Sequence, residues 1–315
     1  MEKILNLIKT IFFFPVYIRK IHILLLKREG KIEKIEKETD NNLTYINTVI
    51  SSYLSKDSGI NKFKREHEIT ISLTSYSHRV DKVHLTIQSL MDQEVKADRI
   101  LLNLDKSKFN SSNIPTDLKL LEKRGLTINY CKDIGPYTKL LPALKQYPRN
   151  LIVTVDDDLI YPRGLLRMLY EAYIKNPEYI HCLRMHYMKF DVNGNVKQYR
   201  DWDIESNVTE PGLLVFPTGV GGVLYPPNSL NDEVFNEEAF LELSPLADDV
   251  WFKAMSLLND VKCKKIDCDI MNHNRTITVR ETQEIGLYHQ NQVNNQNDYK
   301  IKNVFDAYNL WEKLQ

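Results

Sequence analysis

The chain has 315 residues, 42 Lys and Arg against 42 Asp and Glu, 43% hydrophobic and 27% charged residues. That balance supports a sizeable core and excludes a disordered chain. It also lacks the basic excess that counterion release requires, so no nucleic acid is expected among the partners.

The first stretch, MEKILNLIKTIFFFPVYIRKIHILLLKREG, is apolar and basic together. Seven cations between Lys3 and Lys31 face only Glu2 and Glu29, while Lys9, Pro15, Arg19 and Lys20 interrupt every window of about 20 apolar residues that a spanning helix needs. Residues 1–30 are therefore expected to lie on a membrane surface, with Phe12, Phe13 and Phe14 at the headgroup boundary and the cations meeting anionic lipid. The alternative is a helical arm packed on the main domain or on a second subunit. With no cleavable signal peptide visible, the expected place is the cytoplasm, peripheral at the inner membrane.

Residues 31–67 are polar and of mixed charge, and read as a helical linker. Ile32, Ile35, Leu43, Ile46 and Ile50 recur at helical spacings and suggest a partly buried helix pair.

From about residue 68 to 315 strand-like and helix-like runs alternate. ITISLTSY is β-rich, and Val80, Val83, Ile87 and Leu90 then mark an amphipathic helix. DRILLNL, DLKLLEKRG with its glycine stop, LTINYC, TKLLPALKQYP and LIVTVD continue the alternation. Such a pattern predicts an α/β fold with a mostly parallel, doubly wound sheet flanked by helices, and ligands beyond the carboxyl ends of its strands. The first half, 68–160, would bind a nucleotide, and 161–315 would hold an acceptor. Cys131, Cys182, Cys263 and Cys268 form no CxxC pair and read as reduced thiols, Cys131 and Cys182 as small core residues.

LIVTV ends at Asp156, Asp157 and Asp158, three carboxylates at the mouth of a buried strand. Their repulsion calls for compensation, and Mn²⁺ or Mg²⁺ shared with a diphosphate is the simplest form of it. The same triplet also suits an acidic turn before a helix that starts near Pro162. Gly219, Gly221 and Gly222 in PTGVGGVLYPP either let backbone approach a sugar or make a tight bend. Lys139, just before an amphipathic helix, suits a phosphate. SPLADDVWFKAM reads as a helix with Asp248 and Asp249 in its first turn.

The blocks SLTSYSHR, DIGPYTKLLPAL, VTVDDDLIYP, PTGVGGVLYPP and SPLADDVWFKAM, spread from about Ile69 to Tyr308, together resemble bacterial family-two-like GT-A glycosyltransferases of the lipopolysaccharide and capsule type. The resemblance implies a nucleotide-sugar donor and a glycan or lipid-linked glycan acceptor. It places Thr74, Ser75 and Tyr76 at the base and ribose, Arg79 as a charged donor, Asp105 at the nucleoside and Lys139 at a phosphate. Asp156 would meet ribose or metal, Asp158 the metal, and Asp157 would orient the others. Asp249 is the implied base of an inverting transfer, with Asp248 next, while Gly221, Gly222 and Trp251 would face the acceptor. His273 or His289 is the candidate third metal ligand, and His181 and His186 would flank the acceptor cleft. Rival readings are a retaining transferase on the same core, a nucleotidyl transferase without a P-loop, and a carbohydrate-binding or assembly protein without turnover.

Overall fold

The computed structural model describes residues 2–267, 276–282 and 296–314, and the chain divides into two compact units, Met1–Asn47 and Thr48–Gln315. The first helix, α1 (Glu2–Leu54), is unbroken over 53 residues. The expected helix pair is thus corrected to a single helix, on which Ile32, Ile35, Leu43, Ile46 and Ile50 are exposed rather than partly buried. The run KIEKIEKE supplies good helix formers with no Gly or Pro to stop it. Among the described residues no helix is long and apolar enough to cross a membrane.

The second unit is a mixed α/β fold. Its elements run β1 (Ile69–Thr74), α2 (Val83–Met91), β2 (Arg99–Asp105), α3 (Thr116–Glu122), β3 (Leu126–Cys131), α4 (Leu141–Gln146), β4 (Leu151–Thr154), β5 (Leu159–Ile160) and α5 (Leu165–Lys175). Then follow β6 (Ile180–Cys182), β7 (Met185–Tyr187), β8 (Val215–Pro217), β9 (Val223–Tyr225), α6 (Glu237–Leu243), α7 (Asp248–Leu258), β10 (Cys263–Lys265), β11 (Ile277–Thr278) and α8 (Gln296–Ala307). The seven-stranded sheet has the order β10-β6-β9-β4-β1-β2-β3, parallel except at β9, which runs against both β4 and β6. Helices cover both faces, as the continuous apolar runs of β1, β2 and β4 require.

Period-two alternation assigns the strand residues to two cores. Ile71, Leu73, Ile100, Leu102, Leu151 and Val153 pack with α2, α3 and α5 on one face, whereas Leu101 and Ile152 join α4, α6, α7 and α8 on the other. On that second face a buried polar ladder is fully paired. Asn103 donates to Ser72 Oγ at 3.0 Å and Asn129 donates to Asn103 Oδ1 at 2.8 Å. The closing helix α8 buries Ile301, Val304 and Phe305 there, as the amphipathic tail suggested. Gly125, the expected stop after α3, has φ +112°, a left-handed conformation suited to glycine. Cys131, Cys182 and Cys263 are free thiols; Cys268 lies outside the described residues.

Candidate active site

The order β3-β2-β1-β4 means that the chain leaves β1 in one direction across the sheet and arrives at β4 in the other. Between the carboxyl ends of those two parallel strands lies a topological switch point, the place where open α/β sheets bind ligands. The loop after β1 and the aspartate triplet after β4 meet there.

One half of this meeting is built on Arg79. Its Nη1 donates to Asp157 Oδ1 at 2.9 Å, its Nη2 lies 3.2 Å from Asp158 Oδ2, and its Nε donates to the Thr282 carbonyl at 3.1 Å. Ser75 Oγ donates to Asp157 Oδ2 at 2.6 Å, and Thr86 Oγ1 to the Asp157 carbonyl at 2.9 Å. Asp157 is consequently buried and turned inward. Burial pushes its carboxyl up, against the opposing pull of Arg79 and Ser75. The segment 276–282 crosses this half, since β11 pairs antiparallel with β5 and Val279 N–H donates to the Asp158 carbonyl at 2.8 Å.

The other half is built on Lys139. Its Nζ donates to Asp156 Oδ1 at 3.0 Å and stands 3.1 Å from Asp248 Oδ2. Asp249 Oδ2 accepts from Gly219 N–H at 3.4 Å. Burial opposes the ammonium charge, yet Asp156, Asp248 and Asp249 hold Lys139 well above the ordinary lysine value. Asp249 is pushed up to about 7, first by burial and then by Asp248, with Lys139 pulling the other way. Tyr137 fixes the two elements together: its hydroxyl donates to the Ser244 carbonyl just before α7, and its ring stacks on Phe240 at 4.1 Å. Beside that junction opens a cavity of about 360 Å³, lined by Lys132, Asp133, Gly135, Glu237, Leu241 and Leu246 among others.

The structure therefore brings Arg79, Lys139, Asp156, Asp157, Asp158, Asp248 and Asp249 to one strand edge, and it alters several expected roles. Arg79 makes one contact to the protein from each of its three nitrogens and so positions Asp157 and Asp158. Ser75 is 3% exposed and bonded to Asp157, so it supports that carboxylate instead of lining a base. Thr74 Oγ1 donates to the Asn103 carbonyl at 3.0 Å, and the Tyr76 ring lies under Arg79 at 5.4 Å. Asp105 accepts from Ser107 N–H and Oγ at 2.9 and 2.7 Å, which lower its pKa, and so caps its own turn.

Trp251 is fully buried with its indole N–H donating to the Val234 carbonyl at 3.1 Å; it is a core residue that no acceptor sugar reaches. Gly221 and Gly222 are required by packing and backbone conformation. A Cβ at Gly221 would sit 2.9 Å from the Arg184 backbone N, and Gly222 has φ +86°. His181 and His186 are likewise internal, at 0% and 3% exposure, so neither faces a cleft. Burial lowers both, His186 to about 4.

One participant, Tyr161, escaped the sequence, and of the three expected glycines one is singled out. Gly219, and not its neighbours, faces the ion cluster, where a Cβ would come 2.8 Å from Lys139 Nζ and 3.3 Å from Asp156 Oδ1. Tyr161 Oη accepts the Asp156 N–H at 2.9 Å and donates to the Val220 carbonyl at 3.4 Å, tying the triplet to the glycine turn. The Tyr of DDDLIYP was the available signal.

Carboxylate oxygens are the donors a hard divalent ion prefers, and here five carboxylates face two cations, with buried Asp248 Oδ2 ion-paired but not hydrogen-bonded. Asp156 and Asp158 are aimed at different cations, however. Among the described residues no group of three or more His, Cys, Asp or Glu side chains forms a metal-ready cluster. His273 and His289 lie outside the described residues.

No family model and no curated protein matches the chain. Among solved structures it is similar to S. aureus TarS 1–349, at 14% identity over 76% of this chain and 72% of that one, with a TM-score of 0.45. It is similar to the mannosyltransferase PcManGT from Pyrobaculum calidifontis in complex with GDP-Man and Mn²⁺, at 14% identity over 87% and 73%, TM-score 0.46. A third likeness is to a UTP-bound UGPase from Acinetobacter baumannii, at 10% identity over 64% and 86%, TM-score 0.36. At such values the likenesses carry no functional weight, and the reading below rests on the geometry of the site.

Proposed function

We propose that the chain is a glycosyltransferase that moves a sugar from a nucleoside diphosphate donor to a hydroxyl of a glycan acceptor, with inversion at the anomeric carbon. The observation that carries this reading is the arrangement of Asp156, Asp248 and Asp249 around Lys139 at the β1/β4 switch point. A carboxylate whose pKa lies near 7 is a competent base at neutral pH. Asp249 takes the proton of the acceptor hydroxyl as that oxygen bonds to the anomeric carbon and the bond to the diphosphate breaks. Lys139, held in place by Asp156 and Asp248, faces the negative charge that grows on the leaving diphosphate.

Five carboxylates against two cations leave a surplus of negative charge where a diphosphate has to enter. Asp156, the more open, and Asp158 would hold Mn²⁺ or Mg²⁺, which when bound would neutralise donor oxygens. Thr74, Tyr76 and Asp105 border the same strand edge and would meet the nucleoside. The acceptor would enter through the cavity beside Leu246 and Gly135, where Asp133 and Glu237 offer carboxylates to sugar hydroxyls. Sequence resemblance supports a surface glycan, lipopolysaccharide or capsule, as that acceptor, and the basic, apolar start of α1 supports attachment to the inner membrane face.

The test is a panel of nucleoside diphosphate sugars offered with and without Mn²⁺, read first by thermal shift and then by product. A rise in melting temperature with one donor is expected, together with release of nucleoside diphosphate that depends on Asp249. Release of pyrophosphate from a nucleoside triphosphate instead, or turnover that survives Asp249→Asn, overturns the reading.

A further inference from the structure

We infer that the Ile32–Tyr53 stretch of α1 is a dimerisation element that forms a parallel, in-register coiled coil with a second copy of this chain. Single exposed apolar residues need no account, but a stripe of them does. Ile32, Ile35, Leu43, Ile46, Ile50 and Tyr53 are each about half exposed or more, from 46% to 62%. With Thr39 they follow one another at steps of 3, 4, 4, 3, 4 and 3 residues, a mean of 3.5, the period of a left-handed coiled-coil seam. The double step of four at Thr39 is a four-residue stutter, which makes the Ile32 to Leu43 spacing eleven residues and locally unwinds such a seam without breaking it.

Three further observations suit a second copy as the occupant. Thr39, the polar position in the seam, already satisfies its hydroxyl on the Ile35 carbonyl at 2.8 Å, so covering it strands no donor. The flanking charges are compatible with the parallel register: Lys31 precedes the first seam residue and meets Glu36 of the partner helix, Glu38 before Thr39 has the uncharged Leu43 five residues on, and Asn42 with Asn47 is uncharged. The opposite side of the last two turns is already taken, with Thr48 and Ser52 both 7% exposed, which leaves the isoleucine face for a partner. The element covers 22 residues with seven seam positions. It does not depend on the proposed sugar transfer.

Sedimentation equilibrium on the full chain tests this. The expected result is a species of twice the chain mass that the double substitution Ile35→Glu with Ile46→Glu converts to monomer, with helix content by circular dichroism and the melting midpoint unchanged. Ile46→Cys should join two copies by a disulfide under mild oxidation, whereas Glu33→Cys on the outer face should not. A wild-type chain that stays monomeric, a dimer that survives the double substitution, or preferential crosslinking through Glu33→Cys overturns the inference. Vesicles of phosphatidylglycerol and phosphatidylcholine supply the remaining arm: a monomeric chain that binds them, and loses binding on the double substitution, assigns the stripe to lipid and likewise overturns it.

Discussion

Arg79, after β1, and Lys139, after β3, both hold aspartates of the triplet that follows β4, but they hold them in opposite ways. Around Arg79 every nitrogen has a protein acceptor and Asp157 is bonded through both of its oxygens. Around Lys139 the aspartates outnumber the cation, Asp248 Oδ2 has no hydrogen bond, and the pKa of Asp249 is driven up to about 7. The first cluster is closed on itself and fixes a loop; the second keeps unsatisfied electrostatic demand, which a substrate and its counterions could meet. The acidic triplet is thus divided, Asp157 bonded into the Arg79 cluster and Asp156 paired with Lys139.

Asp249→Asn breaks that contrast most severely. The amide preserves shape and can still accept from Gly219 N–H, but it cannot take a proton. Transfer measured with a competent donor and acceptor should fall by about 10²- to 10⁴-fold, the usual worth of a positioned base, while the melting temperature does not drop. Full activity in that variant would remove Asp249 from the mechanism.

Arg79→Met strikes the closed cluster. It leaves Asp157 and Asp158 facing each other without their guanidinium, and loss of one partner from a buried ion pair typically costs about 3–5 kcal/mol. Urea unfolding should show a loss of that size. Arg79→Lys should recover only part of it, because an ammonium cannot fork to two carboxylates and a carbonyl together.

How far the sequence went follows the same division. The alternation of runs was legible because strand burial and helical periodicity are local, and β1, β2, β3 and β4 lie where ITISLT, RILLNL, LTINYC and LIVT placed them. Which carboxylate faces which cation was not legible. Arg79 meets Asp157 across 78 residues and Tyr137 meets Ser244 across 107, pairings that only the crossovers determine. Trp251 misled because an aromatic one turn into an acidic helix suits a sugar platform and a core equally until its burial is known. The isoleucines of α1 misled in the other direction: their spacing announced a covered face, yet within one chain it is exposed.

The pH dependence sharpens the contrast through Asp249. Its folded pKa of about 7 lies above the ordinary aspartate value of 3.8, so the native state binds the proton more tightly than the unfolded chain. Its contribution to stability is therefore full below about 4 and is lost as pH rises through 7. Transfer requires the ionised form and should run the other way, falling about tenfold for each pH unit below 7. Calorimetry and kcat/KM profiles on the same samples should cross in this sense, and Asp249→Asn should flatten the stability slope in that window.

The smallest effects separate two glycines of one turn. At Gly221 an added methyl meets the Arg184 Cβ and backbone N, both at 2.9 Å, and backbone in a buried strand connection does not yield. Gly221→Ala should therefore lose about 1–3 kcal/mol of stability, the range for an overpacked core, with the activity of the folded fraction retained. At Gly219 the nearest atom is the flexible end of Lys139, at 2.8 Å, with Asp156 Oδ1 at 3.3 Å. The ammonium can retreat, so Gly219→Ala should be folded almost as well as wild type, yet it moves the cation away from Asp156. A displacement of a few tenths of an ångström should reduce turnover by about tenfold, given that about 1 Å can cost a hundredfold. If Gly219→Ala instead loses stability and Gly221→Ala loses turnover, the open cluster and the packed turn have been assigned to the wrong glycines.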